Sequence, residues 1–229
     1  MSTPIELTIP GWLKKKIVIS DDEICYGSTK LAIKDLSRIS YHSTTTRTSI
    51  YFIPVNTSTT SSFYIGTDSA AISINIPGGS TEPNKVFNQL FFLSKKFFEP
   101  IIVKRLFLLI LGGGTIRMGG LSLNRDGFNK KTLFRGLVVV PWHQFAGSDL
   151  QSAVVHVWYL TERNAKQEFI SIPLAITNAA VLSELMNQCH NEFAKYAARG
   201  IRMCTFCGKE TESDGKFCQH CGTSLPSKH

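Results

Sequence analysis

Four cysteines fall close together near the end of a 229-residue chain, in the order Cys204-x2-Cys207-x10-Cys218-x2-Cys221. This spacing constrains the segment more than any other feature of the sequence. A Cys-x-x-Cys pair forms a tight knuckle that aims two sulfurs at one ion. The glycine after each pair, Gly208 and Gly222, permits the positive φ that such a turn requires. Two knuckles supply four thiolates, the closed tetrahedral set of a structural Zn2+ site. Soft sulfur ligands disfavour Ca2+ and Mg2+. Four-sulfur iron and a pair of disulfides share the spacing and remain alternatives. With all four positions filled by protein, one zinc per chain is expected in a structural role, and His220 is expected to point away from it.

The segment closely resembles a zinc ribbon. That resemblance implies a small metal-dependent module in residues 200–229, with Phe206 and Phe217 as its hydrophobic core. Residues 200–229 carry four basic and three acidic groups, so a Zn2+ bound by four thiolates brings the ribbon to about −1. A module that grips phosphates needs more positive charge than this. The ribbon is therefore expected to face protein, with nucleic-acid regulation as the alternative.

Upstream of the ribbon, one order of elements occurs twice. Strand-like runs at residues 17–19, 24–26 and 31–41 lead to Ile72, Ile74 and Ile76, which alternate with Ser73 and Asn75 at a period of two. The Ser/Thr-rich stretches at residues 43–48 and 57–62 read as hairpin tips. A helix from about 83 to 111 follows, kinked or restarted at Pro100 and stopped by Gly112-Gly113-Gly114. Strands then resume from Thr115, with a turn at residues 124–127, runs at 137–142 and 154–160, and an alternation of Ile170, Ile172, Leu174 and Ile176. A second helix, capped by Thr177 or Asn178, carries Leu182, Leu185, Met186, Cys189 and Phe193 on one face and ends at Gly200. Asp22-Glu23-Ile24 matches Asp126-Gly127-Phe128, and Leu36 is expected opposite Trp142.

Several antiparallel strands closed by one helix resemble the pleckstrin-homology-like fold. Arg125-Asp126-Gly127-Phe128 followed by Val139-Val140-Pro141-Trp142 is similar to a strand pair of its bacterial members. The fold expected is α+β, with two antiparallel pleckstrin-homology-like sandwich or barrel units, each closed by a C-terminal helix, plus the ribbon. The boundaries expected are 1–113, 114–199 and 200–229.

Pleckstrin-homology domains can hold phosphoinositides on basic residues of a first hairpin. Lys14, Lys15 and Lys16, with Lys130, Lys131 and Arg135, are too few and too scattered to match that motif; a solvated face is expected, with weak binding to an anionic lipid surface as the alternative. The chain's net charge of +8 is modest for a nucleic-acid coat. Cys25 and Cys189 read as buried thiols, and His143 and His156 as ordinary strand residues. No carboxylate pair or nucleophile–base spacing stands out, so no enzymatic activity is expected. The N-terminus lacks the pattern of a signal peptide, and charges interrupt the most apolar run, residues 91–111. The sequence thus predicts a cytoplasmic adaptor with a protein partner, peripheral at the membrane surface if it meets one, and no specific nucleic-acid binding.

Overall fold

The computed structural model describes residues 4–9, 15–50, 53–77, 81–133, 136–198, 201–204, 206–207, 209–212 and 215–225. Among them the chain is α+β, with only antiparallel pairing and with no sheet that closes into a barrel. Contacts divide it into two units: Met1–Ile102 with Leu174–Val181, and Val103–Pro173 with Leu182–His229.

The first unit begins with a four-stranded meander, β1 (Ile5–Thr8), β2 (Lys16–Ile19), β3 (Glu23–Tyr26) and β4 (Thr29–Ala32). A 3-10 turn, Ile33–Asp35, leads into a three-stranded sheet of β5 (Arg38–Ile50), β6 (Ile53–Gly66) and β7 (Ala71–Pro77). The period of two in β7 buries Ile72, Ile74 and Ile76. The Ser/Thr-rich stretches are not hairpin tips. They are the facing strands of a long β5–β6 hairpin, paired from Arg38↔Gly66 to Ile50↔Ile53. Threonine is β-branched and favours the extended backbone, and its hydroxyls meet across the ladder, as Thr45 and Thr59 do at 3.2 Å.

One helical segment follows, made of α1 (Thr81–Leu93), a wide π-type turn (Ser94–Phe98) and α2 (Glu99–Leu111). Proline lacks an N–H and its ring crowds the carbonyl of the preceding turn. Pro100 is accommodated without a break, because the turn before it widens until the Glu99 N–H reaches the Ser94 carbonyl. The segment ends in a Schellman motif. The Gly114 N–H bonds to the Leu109 carbonyl and the Gly113 N–H to the Ile110 carbonyl, with Gly113 at φ +88°.

The second unit repeats this order. β8 (Ile116–Met118), β9 (Leu121–Leu123), β10 (Gly127–Thr132) and β11 (Gly136–Pro141) form a meander, and a 3-10 turn spans Trp142–Gln144. β12 (Phe145–Gln151), β13 (Val154–Leu160) and β14 (Lys166–Pro173) form the second sheet, and α3 (Leu182–Ala198) follows. Trp142 opens its 3-10 turn as Ile33 opens the first. Its counterpart is therefore Ile33, and Leu36 answers to Phe145. Phe128 centres an aromatic core with Phe169, Trp142 and Phe145 at 5.1, 5.5 and 6.0 Å. A bulge where β13 meets β14 turns Phe169 inward, so Ile170 is only half-buried and the expected alternation holds for Ile172 alone within β14. The apolar face of α3 is the one expected, with Leu182, Leu185, Met186, Cys189 and Phe193 all buried.

Asn178 does not cap α3. At φ +66° its side chain accepts from the Ile39 N–H and donates to the Ser37 carbonyl. It thereby satisfies backbone groups at the edge of β5.

Candidate metal centre

The ribbon is built on β15 (Ile201–Met203) and β16 (Glu210–Glu212), which pair antiparallel. The first knuckle leaves β15 at Cys204 and returns through a bond from the Cys204 N–H to the Lys209 carbonyl, 2.9 Å. The second is closed by the Cys218 N–H on the Thr223 carbonyl and the Gly222 N–H on the Cys218 carbonyl, with Gly222 at φ +72°. The Leu225 N–H then bonds to the Lys216 carbonyl.

These turns bring the four cysteines together. Every pair of sulfurs lies within 4.8 Å, with Cys204–Cys221 at 3.7 Å and Cys207–Cys218 at 3.6 Å. A metal bound to four sulfurs at about 2.3 Å requires tetrahedron edges of about 3.8 Å. A disulfide requires sulfurs about 2.05 Å apart, and all four thiols are free. The cluster therefore fits one tetrahedral metal ion.

The electrostatics hold the thiol below its ordinary value at two of the four positions. The hydroxyl and backbone N–H of Thr223 hold the Cys221 thiol down, to about 6. Backbone N–H groups of Cys207 and Phe206 lower Cys204. At Cys207 the Lys209 N–H also pulls down, but desolvation and the neighbouring sulfurs prevail and push it up to about 11. Thiolates crowded at van der Waals distance repel one another, and a dication removes that repulsion.

His220 is not part of the ligand set. Its Nε2 donates to the Glu210 carbonyl at 2.9 Å, tying the second knuckle to β16. The two phenylalanines expected in the core are outside it. Phe206 is 78% and Phe217 63% exposed. The buried cluster is Cys204, Cys218 and Leu225, with Cys207 packed against it. The cysteines and one leucine fill so small an interior, and the knuckle carries Phe206 outward.

The basic residues are placed as follows. Lys15 lies over the Tyr26 ring at 5.6 Å, and Lys16 pairs with Glu6 at 2.9 Å. Lys130 donates to the Phe169 carbonyl and covers its ring, while Lys131 is exposed on β10. Lys15 and Lys16 belong to the first unit, and Lys130 and Lys131 to the second. Lys14 and Arg135 lie outside the described residues.

Sequence reasoning missed a polar group on the outer face of β13–β14. His156 Nδ1 is 3.0 Å from Glu168 Oε1 and 3.2 Å from Ser171 Oγ. Serine and carboxylate share one ring nitrogen, so the imidazole does not link them as a relay would. Period-two spacing within β14 does not reveal this group, because the Phe169 bulge brings Glu168 and Ser171 to one side. Cys189 is buried and its thiol is pushed up to about 12, whereas Cys25 is only half-buried.

Neither the protein-family models nor the curated proteins contain a match to this chain. Among the described residues, no helix is long and apolar enough to cross a membrane.

Proposed function

We propose that this chain is a non-enzymatic, zinc-binding adaptor of the cytoplasm, which docks on a protein partner through its ribbon and meets the membrane surface peripherally. The observation that carries this reading is the exposure of Phe206 and Phe217 on a module held by four sulfurs. A closed four-cysteine site performs no chemistry on a substrate, because every coordination position is taken by protein. It does fix a backbone rigidly, and two phenyl rings on a rigid surface are the type of anchor on which protein interfaces depend. Zinc suits the site because four thiolates satisfy a d10 dication without geometric preference.

The pleckstrin-homology-like reading draws support from a four-stranded meander, a three-stranded sheet and a helix recurring in that order. In such domains the helix plugs one end of a bent sandwich. Here Phe193 of α3 packs 6.4 Å from Trp142, and His190 Nδ1 donates to the Trp142 carbonyl at 2.8 Å.

The test is affinity capture from cytosol by the intact protein and by a Phe206→Ser/Phe217→Ser variant. The variant is expected to keep its zinc and lose the proteins the wild type retains. An unchanged set of captured proteins overturns the ribbon's docking role. Tight DNA binding at physiological salt that disappears with the ribbon establishes the nucleic-acid alternative instead.

A further inference from the structure

The π-type turn at Ser94–Phe98 does more than accommodate Pro100. Phe92, two residues before the turn, and Phe97, within it, both face outward, at 65% and 37% exposure. Lys95 and Lys96 lie between them and are exposed. The Lys96 ammonium sits 5.0 Å over the Phe97 ring, and that of Lys95 5.5 Å over Phe91.

From Lys85 to Pro100 the sequence has a single acidic residue, Glu99. That carboxylate is drawn inward, where it is 6% exposed and accepts from the Tyr41 hydroxyl at 2.9 Å. Its second oxygen pairs with Lys95 at 2.9 Å, so the outward side of this stretch bears the Lys96 ammonium and phenyl rings without an exposed carboxylate.

We propose that this face, centred on Phe92, Lys96 and Phe97, is a contact surface for anionic lipid. The proposal deepens the membrane-surface half of the function above and names a different surface from the lysines of β2 and β10. A phenyl ring beside an ammonium on a flexible stem is the interfacial arrangement: the ring enters the acyl boundary while the charge stays among the headgroups. Charge complementarity selects the anionic leaflet. Lys16 already has the Glu6 carboxylate as its partner, Lys130 a backbone carbonyl and Lys95 the Glu99 carboxylate, which leaves Lys96 as the charge at the centre of this face.

The test is co-sedimentation of the full-length, zinc-loaded protein with phosphatidylcholine vesicles, with and without phosphatidylserine. Binding is expected only to the vesicles containing phosphatidylserine. Burying one phenyl ring corresponds to a factor of roughly 10 or more, so Phe92→Ser/Phe97→Ser is expected to weaken partitioning at least about 10-fold, with its far-UV circular dichroism unchanged. Lys96→Glu should weaken it too. In a Phe92→Trp variant, the added indole emission is expected to shift to the blue on anionic vesicles. Three outcomes overturn the proposal: no vesicle binding, equal binding by the double serine variant, or an unshifted indole. Loss of binding with Lys15→Glu/Lys16→Glu but not with the phenylalanine variants also overturns it, by moving the contact to β2. Cys204→Ser/Cys207→Ser is expected to leave vesicle binding intact, so failure of the ribbon's role and failure of this surface are told apart.

Discussion

Replacing Tyr41 by phenylalanine removes one oxygen from a buried polar group in the first unit. The Tyr41 hydroxyl lies 2.5 Å from Ser94 Oγ and 2.9 Å from Glu99 Oε1. Its one proton makes the hydrogen bond to the carboxylate, so in the other bond the Ser94 hydroxyl donates to the tyrosine oxygen. All three residues are buried, at 4%, 0% and 6% exposure. Water therefore cannot stand in for the lost oxygen. A hydrogen bond to a charged group contributes about 1.5–3 kcal/mol and a neutral one about 0.5–1.5. The ring stays, with its packing on Phe63 and Phe91. Tyr41→Phe is thus expected to cost about 2–4 kcal/mol, read from urea unfolding by far-UV circular dichroism. The pH dependence gives a second readout. Burial first, and then the Glu99 charge, hold the Tyr41 phenol far above its ordinary value. A group raised in the folded state contributes fully below its unfolded pKa, about 10, and that contribution is lost as pH rises beyond it. From about pH 8 to about pH 11 the wild type's advantage over Tyr41→Phe should shrink by about 1.4 kcal/mol. A cost below about 0.5 kcal/mol, or a gap that ignores pH, would refute the reasoning.

Freshly purified reduced protein is expected to contain one zinc per chain by elemental analysis. Cys204→Ser/Cys207→Ser should abolish it, together with amide protection in β15 and β16, while Trp142 fluorescence is preserved; metal-free wild type contradicts this. A Cβ on Gly127 would collide with the Val140 carbonyl oxygen and lie 2.9 Å from Pro141 Cα, both backbone. Gly127→Ala must therefore push β10 from β11 and is expected to cost about 1–3 kcal/mol, followed through Trp142 fluorescence.

The cysteine cluster was legible because two short spacings fix four ligands with no knowledge of the rest of the fold. The α3 face and the β7 alternation were legible for a related reason: each is a local period imposed by one buried side. The misreadings occurred where a residue's partner is distant in sequence. The threonines of β5 are polar like a loop and β-branched like a strand, and only the facing strand shows them paired. Asn178 read as a helix cap, yet its side chain serves Ile39 and Ser37, far away along the chain. Phe206 and Phe217 read as core by hydrophobicity, but the sulfurs and Leu225 already fill the interior. Pro100 marked the irregularity in the helix. Its form, a widened turn with Tyr41 bonded to Ser94 and Glu99 across it, involves a partner distant in sequence.

Segment Leu174–Val181 belongs to the first unit although most of the second precedes it in sequence. During synthesis an N-terminal domain ordinarily folds while the rest is still being made, at about 5–20 residues per second. Here the Ile39 amide waits for Asn178, and the Tyr41 amide for the Leu174 carbonyl. Covering the stretch from Ile102 to Val181 takes the ribosome about 4–16 s at those speeds. For that interval the β5 edge is complete in sequence but unfinished in hydrogen bonding, the condition in which nascent strands pair with the wrong neighbour.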